Sequence, residues 1–252
     1  MKEVIEILKD SEQYYSGVGK NYLSNSDIGT LLNNPKDFGV ERPDTLNFAK
    51  GRLFHQLILE PKVAKKVRHL DISSRNTKMY REYIKGINLD HPNNYNDDFI
   101  LLTKEVEEIQ ELVKIMLANM DFFDLIHEKG NKFEQPSVKE IKGVLWKGRA
   151  DIVNEHILVD LKTTSDINKF KWSAKKYNYD SQAYIYQELF GKPLIFLVID
   201  KATELLGMFE PSVEFIERGE KKVEQAIEIY NTFFCKNAPE SIDNYYINEQ
   251  LT

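Results

Sequence analysis

The chain has almost no cysteine: Cys235 is the single one in 252 residues. One thiol cannot close an internal disulfide, build a cysteine zinc cage or hold a four-cysteine iron–sulfur cluster. Long apolar runs are missing too, and none approaches the ~18 consecutive residues that a membrane span needs. The opening "MKEVIEILKDSEQYY" carries acids throughout and has neither the apolar core nor the small-residue cleavage site of a signal peptide. The expectation is therefore a cytoplasmic protein with no membrane contact. Internal repeats, low-complexity tracts and Gly/Ser linkers are also absent. So is any basic excess. The net charge of −6 argues against a generic coat for polyanions. It leaves room for a nucleic-acid enzyme, because phosphate attraction depends on local patches and a cation site itself needs clustered acids.

With 42% hydrophobic and 29% charged residues, the chain has the balance of a globular protein with a buried core. Its length suits one large domain, or one domain with a helical annex. The first half reads as helical. "SNSDIGTLLNN" has Ser24 or Ser26 as N-cap and ends before Pro35. "LNFAKGRLFHQLILEP" puts Phe48, Leu53, Phe54, Leu57 and Ile58 at helical spacing and stops at Pro61. "SRNTKMYREYIKG" predicts a helix closed by Gly86. "HPNNYND" (91–97) reads as a loop, followed by the longest amphipathic helix, from about Phe99 to Met120. The period then changes. From Phe133 to Thr163, "FEQPSVKEI", "GVLWKGRADIV" and "HILVDLKTT" read as three successive strand-like runs. A helix-like segment covers 168–190, "PLIFLVID" and "ELLGMFEP" read as two more strands, and a last helix spans about 212–234. The expected fold is α/β, a mixed central sheet flanked by helices. One domain would span 1–252, with 1–130 mainly helical and 131–252 holding the sheet core.

The chemistry concentrates in "VLWKGRADIVNEHILVDLKTT" (144–164). A two-residue turn at Asn154-Glu155 would pair Val153 with His156, Asp151 with Leu158 and Arg149 with Asp160. One face then carries Ala150, Ile152, Ile157, Val159 and Leu161, all apolar. The other carries Lys147, Arg149, Asp151, Leu158, Asp160 and Lys162. Asp151 and Asp160 become diagonal neighbours roughly 7–8 Å apart, close enough for their carboxylates to converge on one cation. A turn longer by one residue would put them on opposite faces. A hairpin face of alternating charge is, by itself, equally a solvated salt-bridge ladder. Against that, Val159 and Leu161 flank Asp160, and an unpaired carboxylate in a sheet interior is expensive. Lys162 shares the face and can orient a water, and Glu134 on the preceding run is a third acid bordering it. Such an oxygen-rich cluster beside a lysine suits Mg²⁺ or Mn²⁺ and phosphodiester hydrolysis.

"GRADIVNEHILVDLKTT" resembles the core of the PD-(D/E)xK nuclease superfamily, in which one acid precedes a hairpin turn and D/E-x-K follows it. "GRLFH" (51–55) and "QAYIY" (182–186) resemble the Gly-x-x-x-His and Gln-x-x-x-Tyr patterns of phage and prophage exodeoxyribonuclease VIII, the RecE-like exonucleases. "YLSNSDIGTLLNNPKDF" is similar to the N-terminal segment of that group. Together these motifs span about residues 22–190 in the expected order. One departure is "RAD" in place of "PD", with Ala150 where the proline would stand; metal binding needs the carboxylate and not the proline. Glu134 is matched by its place before the hairpin alone.

The resemblance implies a Mg²⁺-dependent exodeoxyribonuclease (Mn²⁺ as substitute) acting on the ends of linear double-stranded DNA, 5′ to 3′. It implies His55, Asp151, Asp160 and the main-chain carbonyl of Leu161 as metal ligands. Lys162 would orient the attacking water, and Gln182 and Tyr186, at i and i+4 on one helical face, would bind the scissile phosphate or that water. Read alone, His55 among apolar neighbours is an ordinary core histidine and Gly51 an ordinary helix glycine. Lys169, Lys171, Lys175 and Lys176 are by default a solvated basic face; beside an acidic cluster they and Arg149 would contact DNA phosphates. Trp172, Tyr177 and Tyr179 interleave with them and would stack on bases of a frayed end or pack in the core. The resemblance also implies a homo-oligomer, a ring-shaped tetramer, and a RecT-like single-strand annealing partner in phage-type recombination. Two other readings stay open: an endonuclease of the same superfamily, in restriction or repair, and a non-catalytic DNA-binding protein that retains the fold.

Overall fold

The computed structural model describes residues 2–41, 44–90 and 100–247. The N-terminal half runs α1 (Lys2–Ile7), α2 (Ser11–Tyr15), α3 (Asn25–Asn33), α4 (Leu46–Leu59), α5 (Pro61–Ala64), β1 (His69–Leu70), α6 (Lys78–Asp90), β2 (Leu101–Leu102), α7 (Thr103–Ala118) and α8 (Met120–His127). It continues through β3 (Lys132–Ile141), β4 (Val144–Val153), β5 (Leu158–Thr164), α9 (Phe170–Lys176), α10 (Tyr179–Phe190), β6 (Leu194–Asp200), β7 (Leu206–Phe209) and α11 (Val213–Phe233). β3 to β7 form one sheet in chain order, antiparallel except for β5–β6. α9 and α10 supply the crossover that a parallel pair requires. β1 and β2 pair separately. The architecture is the expected α/β one, a mixed sheet flanked by helices. No helix among the described residues is long and apolar enough to cross a membrane.

Local chemistry sets the element ends. The Asp27 carboxylate accepts from both the backbone N–H and the hydroxyl of Ser24, which starts α3 there. Thr45 accepts from the Phe48 N–H and caps α4. Two expected helices break at asparagine, a residue that leaves the helical region at low cost. Asn119 takes an extended conformation and caps α8 by accepting from the Phe122 N–H, so the predicted 99–120 helix ends as α7 and a second helix follows. Asn178 takes a left-handed conformation and divides the predicted 168–190 helix into α9 and α10. Gly86 does not close α6, which runs on to Asp90. The expected loop at 91–97 and the expected helix start at Phe99 lie outside the described residues.

On one face of the sheet Ile152, Val159, Leu161, Ile195, Leu197 and Ile199 pack against Leu53 and Phe54 of α4 and against the apolar stripe of α7. On the other, Ala150, Leu158, Leu194, Phe196 and Val198 meet Phe170, Ala174 and Ala183 of α9 and α10. Further along the β3–β4 hairpin, Ile141, Val144 and Trp146 pack on α3, α10 and α11.

The β4–β5 hairpin corrects the expected register. Val153 pairs with Leu158 and Ile152 with Val159, so the loop is 154–157 and not Asn154-Glu155 alone. The reason is Asn154, which is buried: its Nδ2 donates to Glu128 at 2.5 Å and to Asn131 at 3.0 Å, and its Oδ1 accepts from the His156 N–H. Lys192 binds the carbonyls of Asn154 and Glu155 as well. A residue anchored in this way cannot be the tip of a two-residue turn. Because the loop is two residues longer, side-chain parity is preserved. The apolar face nevertheless differs from expectation: Ala150 lies in the α9–α10 layer, while Ile152, Val159 and Leu161 lie against α4 and α7, with Ile157 packed beside them. The alternation of β4 changes phase between Ala150 and Ile152, where the β3–β4 ladder skips the Glu134–Asp151 position.

α10 and α11 are held together by Asp180, fully buried, with Arg218 Nε at 2.7 Å and Lys222 Nζ at 2.9 Å. A Cβ on Gly219 would come within 2.1 Å of the Asp180 carbonyl oxygen, whereas one on Gly86 would meet nothing. Gly219→Ala is therefore expected to lower the unfolding free energy by about 1–3 kcal/mol despite alanine's better helix propensity. Gly86→Ala is expected to raise it by roughly 0.5–1 kcal/mol. Denaturant titration of the two variants checks both signs; equal effects would contradict the close packing of α10 on α11.

Candidate functional site

β4 and β5 pair at only two positions and then part. Continued by two residues, their register would set Leu161 opposite Ala150. The Leu161 N–H instead donates to Asp151 Oδ2 at 2.7 Å. The carboxylate thus fills the fork between the strands and takes over one hydrogen bond of the missing ladder. Asp151 is 7% and Asp160 2% exposed, so both acids sit inside the protein.

On the α4 side, His55 stands one turn after Gly51. Its Nε2 donates to the Leu161 carbonyl at 2.8 Å, and its Nδ1 lies 3.5 Å from Asp151 Oδ1. A carbonyl can only accept, so Nε2 carries a proton. Ligand atoms of His55, Glu134 and Asp151 all lie within 4.8 Å of one another, a group that could hold a metal ion. Glu134 has φ of 48°, a left-handed conformation that costs a non-glycine residue roughly 1–2 kcal/mol. Strain of this kind collects where a side chain is needed in one place.

On the α10 side, Asp160 Oδ1 accepts from Gln182 Nε2 at 2.5 Å, and Oδ2 lies 2.5 Å from Lys162 Nζ. The Lys162 ammonium also lies 4.8 Å from the centroid of the Tyr179 ring. Tyr186 donates its hydroxyl to the Arg149 carbonyl at 2.9 Å. Gly148 permits that approach: a Cβ there would come within 2.9 Å of the Tyr186 ring and 2.6 Å of Leu189.

Titration follows from these contacts. Burial alone would lower His55, but the Asp151 carboxylate outweighs it and lifts the imidazole to about 9. Burial alone would raise Asp151; His55 and Lys162 overcome it and hold the carboxyl below the usual range. Burial, with the Asp151 charge, pushes Glu134 up to about 7. Burial raises Asp160 too, with Lys162 opposing and Asp151 adding. Burial would lower Lys162, yet the Asp160 charge beside it holds the ammonium above the ordinary lysine range. Burial pushes the Tyr186 hydroxyl far up.

The fold thus gathers His55, Glu134, Asp151, Asp160, the Leu161 carbonyl, Lys162 and Gln182 around one fork. Tyr186 is adjacent, with its hydroxyl committed to β4. Arg149 lies elsewhere: its guanidinium covers the Tyr14 ring at 4.2 Å and donates to Ser11 and the Leu8 carbonyl, tying α1 and α2 to the sheet. Lys169 is exposed and paired with Asp166, and Lys171, Lys175 and Lys176 are exposed on α9. Lys171 and Lys176 lie over the exposed Trp172 and Tyr177 rings. The contact of Tyr179 with Lys162 was not foreseen. Its signal was the spacing of Tyr179 and Gln182, i and i+3 on one helix.

Residues 33–242 match the model of a family described as a PDDEXK-like domain of unknown function (DUF3799). Among solved structures, the chain is similar to a presumed exonuclease from Eubacterium rectale, with a TM-score of 0.61 and 16% identity over 96% of each chain. At that identity the likeness shows the fold. A second structure, SSO0001, matches with a TM-score of 0.33 and 15% identity over 72% of this chain and 87% of that one, too loosely to carry an argument. No curated protein matches the chain.

The raised groups give a pH dependence with a definite sign. Glu134, lifted from 4.5 to about 7, favours folding while protonated; that contribution is whole below 4.5 and gone above about 7. His55, lifted from 6.5 to about 9, adds stability that is whole below 6.5 and lost as pH rises through about 9. Metal-free protein is therefore expected to lose several kcal/mol of stability between pH 5 and 9, each pKa unit crossed contributing about 1.4 kcal/mol. Glu134→Gln should flatten the lower part of that decline. Thermal melts in chelator across this range check it; a flat profile, or one that Glu134→Gln leaves unchanged, would contradict the crowding of charge at the fork.

Proposed function

The chain belongs to the PDDEXK-like family DUF3799, and from that membership we propose that it is a divalent-metal-dependent exodeoxyribonuclease that degrades linear double-stranded DNA from its ends. The observation that carries the reading is the meeting of Asp151, Asp160 and Lys162 at the β4–β5 fork, with His55 and Glu134 beside them.

The donor set suits a hard cation such as Mg²⁺ or Mn²⁺: carboxylates, the Leu161 carbonyl and one imidazole. The electrostatics support the same fit: burial raises Glu134 and Asp160, and the Asp151 charge adds to both, a repulsion that a cation relieves. His55, Asp151, Asp160 and the Leu161 carbonyl would hold it, with Glu134, whose carboxylate converges with His55 and Asp151, as a further ligand. When bound, such an ion polarises the scissile phosphate and eases deprotonation of the attacking water. Lys162, kept charged by Asp160, donates to the water or a phosphoryl oxygen and orients it. Gln182 fixes the rotamer of Asp160 through its amide. The exposed lysines of α9 contact backbone phosphates. By the resemblance to RecE-like enzymes, polarity is 5′ to 3′, the assembly is a ring-shaped homo-oligomer, and a RecT-like annealing protein takes the product strand in phage-type recombination.

With Mg²⁺ and linear duplex DNA, the intact chain is expected to release nucleotides, and Asp160→Asn and Lys162→Ala to slow release by about a hundredfold or more. Covalently closed circular duplex should stay intact. Cleavage of the circle would replace this reading with an endonuclease, no Mg²⁺-dependent release would remove the enzyme, and full activity in both variants would remove the site assignment.

A further inference from the structure

We propose that Tyr179 is the residue that positions Lys162, an inference that rests on the nuclease reading of the site. Lys162 carries its ammonium on a flexible four-carbon stem and needs more than one restraint to hold a single place. Asp160 supplies one, with Oδ2 at 2.5 Å, and the Tyr179 ring supplies another, with its centroid at 4.8 Å. The two restraints differ in kind. A carboxylate shared with a cation loses part of its hold on the ammonium. A ring face attracts the ammonium through its quadrupole and offers the cation no competing ligand.

The ring is itself fixed. It stacks on Phe196 with centroids 5.6 Å apart and planes inclined by 29°, and it meets Phe170 at 6.0 Å and Tyr177 at 6.1 Å. Phe196 is the β6 partner of Asp160, so Tyr179 rests on the strand position next to the acid. Tyr179 also opens α10, three residues before Gln182, whose amide donates to Asp160. One helical face thus restrains both charged groups of the β5 pair, Gln182 the acid and Tyr179 the base. The left-handed Asn178 makes this possible, since it ends α9 and starts α10 with Tyr179 at the first position. A tyrosine serving only as core filler would lose stability when replaced by an aliphatic residue and would leave the geometry of Lys162 alone.

The test compares Tyr179→Phe, Tyr179→Leu and Tyr179→Met in the full chain, methionine serving as a second aliphatic variant should leucine fold poorly. Turnover is measured on linear duplex with Mg²⁺, and DNA affinity by fluorescence anisotropy with Ca²⁺ in its place. In metal-free protein, the acetylation rate of Lys162 under limiting acetic anhydride is followed by mass spectrometry. Phenylalanine is expected to match the parent throughout. Leucine and methionine are expected to lower kcat roughly ten- to thirty-fold, the factor that a desolvated cation–π contact represents. DNA affinity should stay unchanged and Lys162 should acetylate several-fold faster. Equal turnover in the aliphatic and phenylalanine variants would overturn the proposal. So would a phenylalanine variant as impaired as the leucine one, or unchanged Lys162 reactivity. A parent chain inactive on DNA would overturn the nuclease reading instead, and the acetylation rates would then decide the Tyr179–Lys162 contact alone.

Discussion

The hydrogen bond from the Leu161 N–H to the Asp151 carboxylate is the contact on which the candidate site depends. Two strands that part in a sheet interior leave backbone donors and acceptors with no partner, each costing roughly 1–3 kcal/mol if unmet. Asp151 meets one of them with a side chain, and the Leu161 carbonyl is met by His55 from α4. The fork is thereby kept open without an orphaned backbone group at Leu161. It also places a carboxylate, an imidazole and a carbonyl at one point, with Asp160 and Lys162 immediately before and after Leu161 on the same strand.

This arrangement concentrates charge where the dielectric is low. Asp151 and Asp160 are almost wholly enclosed, and the groups balancing them are His55, Lys162 and the Gln182 amide. Burial, with the Asp151 charge adding to it, displaces Glu134 and Asp160 upward. Backbone strain at Glu134 adds to the cost. A site that stores repulsion and strain in the middle of a well-packed sheet has a physical reason to bind a cation. The aliphatic layers on both faces supply the stability that allows it.

Much of this was legible in the chain. Strand and helix periods gave the α/β order, and Ser24, Pro35 and Pro61 marked element ends that the structure keeps. Asp151, Asp160 and Lys162 were recognisable as a set because an aliphatic frame surrounds them. The breaks at Asn119 and Asn178 were harder, since each depends on a single residue choosing between helix and cap. The hairpin register was missed because Asn154 is buried by Glu128 and Asn131, partners 26 and 23 residues away.

What the sequence alone determined is which residues carry charge inside an apolar frame, and therefore that a charged cluster near 151–162 would be costly wherever the fold buried it. Side-chain period in strands is short-ranged and survives any tertiary arrangement. The family resemblance named His55, Glu134 and Gln182 as candidates, and only the tertiary structure decided that they meet at the fork and that Tyr179 joins them. His55 comes from a helix about a hundred residues upstream, Glu134 from the neighbouring strand, and Tyr179 and Gln182 from the crossover helix. It also turned Arg149 toward α1 and α2, where Tyr14 and two hydrogen bonds hold it. The physical reason is the same in each case: a side chain's partner depends on which surfaces come together in the fold, and local spacing carries no information about a surface supplied from elsewhere in the chain.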